Sequence, residues 1–115
     1  MKVKKFYDPT RTYVSFEYEE LKSLTDDKKK VIGNRMINEG HIKLFTSYSA
    51  PQLRRMPALT VNIRTGRLID GQHRVRAIVK MIEQGILPKD YRYDVMLIDV
   101  PEEEERTEVI NANIH

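Results

Sequence analysis

Asp70, Gly71, Gln72, His73 and Arg74 place a carboxylate, a position without a side chain, a carboxamide, an imidazole and a guanidinium in succession between two apolar segments. Where a strand gives way to a helix, the first backbone N–H groups lack intrahelical partners and carry the positive end of the helix dipole. A glycine at that junction lets an anion come close to them. Phosphate is the usual anion of this kind. His73 and Arg74 would add donors, Arg74 bidentately, while Asp70 would hold a magnesium ion through water or orient His73. The residue types suit a nucleoside triphosphate. A structural reading competes, because Asp70 is also a good helix N-cap. Its carboxylate, bonded to the amides of Gln72 or His73, would occupy the donors an anion needs. Against capping alone stands the concentration of Gln, His and Arg in a first turn where stability would favour Glu or Ala.

The elements that must carry these residues follow from periodicity. Val75, Ile78, Val79 and Ile82 recur at three- and four-residue spacing until Gly85 and Pro88, predicting a helix of about 72 to 84. "ALTVNI" and "LID", separated by "RTGR", read as a β-hairpin, and "YRYDVMLIDV" as a buried central strand. Pro101 opens "EEEERTEVINAN", a final helix with residues 102 to 105 as its solvated start. Upstream, "KVKKFY" and "TYVSFEY" read as short strands. Thr25 caps a helix of about 26 to 38 that ends at Gly40, with Gly33 weakening its interior. Ile42 to Phe45 suggests a short strand, and the proline-bounded stretch after it either a loop or one helical turn. The expected fold is a small α+β domain, one unit over residues 1–115. Residues 1–25 are the hardest to assign, and the ending Ile114-His115 fits a frayed tail or a piece of a longer protein.

The chain has 115 residues, 40% hydrophobic, and no cysteine, which excludes disulfides, thiolate zinc sites and a cysteine nucleophile. Neither a run of 18 apolar residues nor a signal-like N-terminus is present, so the expectation is a cytoplasmic protein with no membrane partner. The net charge of +3 is unevenly spread. From Pro51 to Lys80 the basic residues Arg54, Arg55, Arg64, Arg67, Arg74, Arg76 and Lys80 face Asp70 alone, whereas seven acids between Asp94 and Glu108 face Arg106. Arg54, Arg55, Arg64, Arg67 and Arg76 are therefore candidate nucleic-acid contacts, with an ordinary solvated surface as the competing reading. His41, His73 and His115 lack metal-ligand spacing, and Ser15, Ser47 and Ser49 stand in no triad order. Tyr7, Tyr13, Phe16, Tyr18, Phe45 and Tyr48 are candidates for base stacking, although such aromatics are more often core.

"TGRLIDGQHRVRAI" resembles the DGQHR-type motif of the ParB/sulfiredoxin-like superfamily, and the similarity extends over about residues 57 to 113, including "YDVMLIDV" and "EEEERTEVINAN". The resemblance implies a mixed β-sheet packed with about three helices, the stretch 26 to 38 matching a helix that precedes the family's core. It implies that Gly71, Gln72, His73 and Arg74 line a nucleotide phosphate site supported by Asp70 or its magnesium. Asn111 and Asn113 match family positions without a stated role. Sulfiredoxins carry cysteine in place of Gln72, so this chain is not a sulfinic acid reductase. The second phosphate motif and helix-turn-helix of chromosome-partitioning ParB proteins are missing, and the catalytic glutamate of the similar free-serine kinases has no placed counterpart. The resemblance thus implies ATP or CTP with magnesium, in a DNA-handling or DNA-regulatory protein of phage or mobile-element type. It leaves nucleotide hydrolysis or phosphate transfer open, since no second carboxylate can be placed from sequence. Two rivals remain. One is a DNA-binding module that needs no nucleotide; the other binds a host or regulatory protein through the acidic helix from Glu102.

Overall fold

Side chains alternate across a strand, so Leu59 and Val61 point to one side of their strand while Thr60 and Asn62 point to the other. That alternation organises a two-sided sheet. In the computed structural model, which describes residues 11–26, 28 and 36–112, the strands are β1 (Arg11–Phe16), β2 (Leu59–Asn62), β3 (Arg67–Asp70) and β4 (Tyr93–Ile98). They form one mixed sheet in the order β1-β4-β2-β3. β4 lies between β1, to which it runs antiparallel, and β2, to which it runs parallel, with Leu59 beside Val95. β2 and β3 form the antiparallel hairpin expected from "ALTVNI" and "LID". The helices are α1 (Tyr18–Ser23), α2 (Glu39–Phe45), α3 (Ala50–Arg54), α4 (Gln72–Glu83) and α5 (Glu105–Ala112). The chain is thus a small α+β domain, and no described helix is long and apolar enough to cross a membrane.

The main core lies on one side of the sheet, where Val75, Ile78, Val79, Met81 and Ile82 of α4 meet Leu59, Val61, Leu68 and Val95. Burying each such side chain contributes roughly 1.5–3 kcal/mol. α4 ends where expected: the Gly85 and Ile86 amides donate to the Ile82 and Met81 carbonyls at 3.1 and 2.9 Å, a Schellman arrangement made possible by positive φ at Gly85. A smaller cluster of Ile69, Ile98 and Val109 joins α5 to the opposite face.

Several expectations need correction. Ile42 to Phe45 is helical, because the Asn38 side chain accepts from the Gly40 and His41 amides and starts α2 there. Gly40 lies inside that helix rather than closing an earlier one. Most of the expected helix 26 to 38 falls outside the described residues, and 36–38 are not helical. The "KVKKFY" strand also lies outside them. The second expected strand stops at Phe16, and Tyr18 begins α1, where the Glu17 amide donates to the Glu20 carboxylate at 3.1 Å. The stretch left as loop or helical turn is α3, capped by Ser49 and Gln52.

Glu105 was expected on a solvated helix start and is instead 1% exposed. A 3-10 turn over Glu102–Glu104 leads into α5 and carries Glu105 inward against the hairpin. Its carboxylate accepts from Asn62 Nδ2 at 2.8 Å, Thr65 Oγ1 at 2.5 Å and Arg67 Nη1 at 3.0 Å. Asn62, fully buried, completes the set by donating to the Val100 carbonyl at 3.1 Å. Burial pushes the Glu105 carboxyl up, but the hydrogen bonds from Thr65, Asn62 and Arg67 outweigh it and hold the group below its ordinary value of 4.5. A carboxyl lowered on folding contributes stability that is full above its ordinary value and lost as pH falls through the folded one. Glu105→Ala should cost about 2–4 kcal/mol in urea unfolding, since it leaves buried donors unpaired. Glu105→Gln should flatten the fall in stability below about pH 4.5; an acid limb unchanged by that substitution would contradict this account of Glu105.

Candidate functional site

β3 ends at Asp70 and α4 begins at Gln72, so Gly71 alone must turn the chain, which it does at φ 101° and ψ 24°. Side-chain-bearing residues rarely adopt that conformation. Space is also lacking: a Cβ at this position would overlap Leu59 Cδ2 and lie 3.0 Å from an Arg74 guanidinium nitrogen. Leu59 is fully buried and cannot swing aside. Gly71 is the N-cap of α4 and has no side chain with which to cap it. Asp70, the last residue of β3, stands one position before that cap.

Asp70 is aimed elsewhere by an irregularity in the hairpin. Simple alternation would put it with Leu68 on the α4 side of the sheet. The register shifts between Thr60 and Val61, however, so that Asp70 stands opposite Thr60, whose side chain points to the other face. A β-bulge of this kind redirects a strand's last side chain. Asp70 consequently lines a cleft of about 330 Å³ on that second face, over a floor of Ile69, Met96 and Ile98. Glu108 and Asn111 of α5 and Thr60 of β2 line it too.

The remaining motif residues diverge. Arg74 is 5% exposed; its guanidinium donates to the Pro57 carbonyl and lies 5.9 Å from the Tyr93 ring centre. Tyr93 in turn donates to the Leu53 carbonyl at 2.8 Å. Arg74 thus fastens the helix start to the segment before β2 and to β4, which is not the phosphate grip expected of it. His73 faces α2: its Nε2 accepts from the Asn38 amide at 2.9 Å, and its ring meets the His41 ring edge-on at 5.2 Å. Nε2 must be unprotonated in that bond. Gln72 stays partly exposed in the first turn.

The candidate nucleic-acid arginines have different surroundings. Arg64 pairs with Asp99 at 2.5 Å, and Arg67 with Glu102 at 2.7 Å and Glu105 at 3.0 Å. Arg54 lies 5.5 Å from the Tyr91 ring centre, Arg55 is exposed at the end of α3, and Arg76 on α4 has a buried Nε without a partner. The basic and acidic stretches of the sequence therefore meet at the hairpin turn. Among the described residues no group of three or more His, Cys, Asp or Glu side chains is arranged to hold a metal ion.

Thr60, Glu108 and Asn111 join Asp70 through the fold, and no spacing in the sequence signals it. Comparison with models of known protein families, with curated proteins and with solved structures finds no match.

Gly71→Ala should destabilise the domain by about 1–3 kcal/mol, from backbone strain and overlap with Leu59. Chemical denaturation checks this, and a variant as stable as the parent would contradict the turn geometry.

Proposed function

We propose that this chain is a nucleotide-binding domain of the ParB/sulfiredoxin-like kind, which holds the phosphates of ATP or CTP with magnesium at the amino end of α4. The observation that carries the reading is a helix entered directly from a strand through a left-handed glycine at its N-cap. Such an end attracts anions through its N–H groups and dipole, and a glycine there adds no side chain of its own to the approach. In this reading the first-turn backbone at Gly71 and Gln72 meets phosphate oxygens. His73 flanks them, and Asp70, at the border between helix end and cleft, holds magnesium through water. Arg74 serves from beneath, fixing the turn instead of touching the ligand.

The magnesium ion would neutralise phosphate charge. The protein's own part is to bind and orient the ligand, and the reading assigns no bond-breaking step. The DNA-handling setting rests on the resemblance of "TGRLIDGQHRVRAI" alone. Pairing of Arg64 and Arg67 with acids favours nucleotide over the nucleotide-independent DNA-binding rival, since those guanidiniums are already neutralised.

Isothermal titration with ATP and with CTP, each with magnesium, should give saturable binding. His73→Ala should weaken it severalfold, because the bond from the Asn38 amide to His73 ties the first turn of α4 to α2 and holds the amides in place. Absence of heat and of thermal stabilisation with both nucleotides would overturn the proposal.

A further inference from the structure

We infer that His73 and His41 form a pH-operated clasp, which holds the start of α2 on the first turn of α4 while both imidazoles are neutral and releases it when they take up protons. The inference stands apart from the phosphate reading, and its test contains no nucleotide.

One hydrogen bond and one ring contact carry it. The Asn38 backbone amide donates to His73 Nε2 at 2.9 Å, and the His41 ring meets the His73 ring edge-on at 5.2 Å between centres. Asn38 is also the N-cap of α2, its side chain accepting from the Gly40 and His41 amides. A single residue thus starts α2 and moors it to α4. An imidazole nitrogen accepts a hydrogen bond only while it carries no proton; in imidazolium both ring nitrogens are donors. Protonated His73 would set N–H against the Asn38 N–H, and protonated His41 beside it would add repulsion between two cations. Solvent reaches both rings, since His41 is exposed and His73 half-buried.

The surroundings of the pair bear on the sign. His73 lies in the first turn of α4, where the helix dipole opposes positive charge. Among the described residues, Arg76 follows it one turn along α4, and α2 carries Glu39 and Lys43, both exposed, on either side of His41. Asp70 lines the cleft on the other face of the sheet, and the strands beneath α4 present the apolar Leu59, Val61, Leu68 and Val95. α1 meets α4 at its far end, where Lys22 pairs with Glu83. Because the closed clasp needs neutral His73 while the unfolded chain takes up the proton freely, its contribution is full above the imidazole range and lost as pH falls through it. That window lies above the one in which Glu105 acts.

NMR titration of the full chain from about pH 7.5 to about pH 5.5 spans the ordinary imidazole range. The Asn38 amide should shift with the same midpoint as the His73 ring, and the proton–proton contacts between the His41 and His73 rings should fade through it. Over the same window the folding equilibrium constant from urea unfolding should fall about tenfold for the parent relative to His73→Gln, whose carbonyl accepts from Asn38 without titrating. His41→Gln should keep the Asn38 response and lose less stability than the parent. An Asn38 amide that stays still while the His73 ring titrates would overturn the clasp, whether or not either variant folds. So would ring contacts retained at the acid end, or equal pH dependence of the parent and a folded His73→Gln.

Discussion

Gly71 packs so closely on Leu59 and the Arg74 guanidinium that no side chain fits there, and much of the surrounding geometry depends on that closeness. Because the chain can turn at positive φ, α4 starts immediately after β3, with its apolar face already on the sheet. Because the glycine occupies the cap position, Asp70 is left outside the helix. Arg74 reinforces the arrangement from below, bonded to Pro57 and stacked near Tyr93, so one basic residue locks three segments around the turn. A guanidinium in that position is held by geometry as well as charge, which lysine would not reproduce.

A second constraint acts at the opposite end of the sheet. Glu105 reaches the hairpin turn from α5 and satisfies Asn62, Thr65 and Arg67 together, fixing α5 across the second face. Buried carboxylates are costly unless fully partnered, and this one is partnered through both oxygens. By anchoring the first turn of α5, it also sets where Glu108 and Asn111 fall, one and two turns further along. The cleft is thus bounded by the bulge that redirects Asp70 on one side and by the Glu105 anchor on the other.

Elements whose signal is local were legible in the sequence. The apolar repeat of α4, the turn residues between β2 and β3, and the apolar run of β4 each carry their own period, and each forms close to its expected limits. α2 was misread because Ile42, Leu44 and Phe45 suit a strand as well as a helix, and Asn38, lying before them, decides the matter as a cap. Glu105 looked like one more solvated acid because its partners lie 38 to 43 residues away. A separation of 35 residues likewise hid the pairing of Arg64 with Asp99, so segregated charge along the chain suggested an anion-binding face that the fold neutralises at Arg64 and Arg67. At the candidate site, the strand-glycine-helix junction was readable from "DGQHR". The directions of Asp70, His73 and Arg74 were not, because a bulge, the cap of α2 and the packing under Gly71 set them.

The proposed function makes this junction an anion site whose donors are backbone amides, with the conspicuous side chains in supporting positions. That claim is tested most directly by amide chemical shifts, recorded in ¹⁵N–¹H spectra as tripolyphosphate with magnesium is added to the full chain. The account predicts saturable shifts centred on the amides of Gly71, Gln72 and His73. Shifts that are absent there, or that gather instead around Arg54, Arg55 and Arg76, would contradict it.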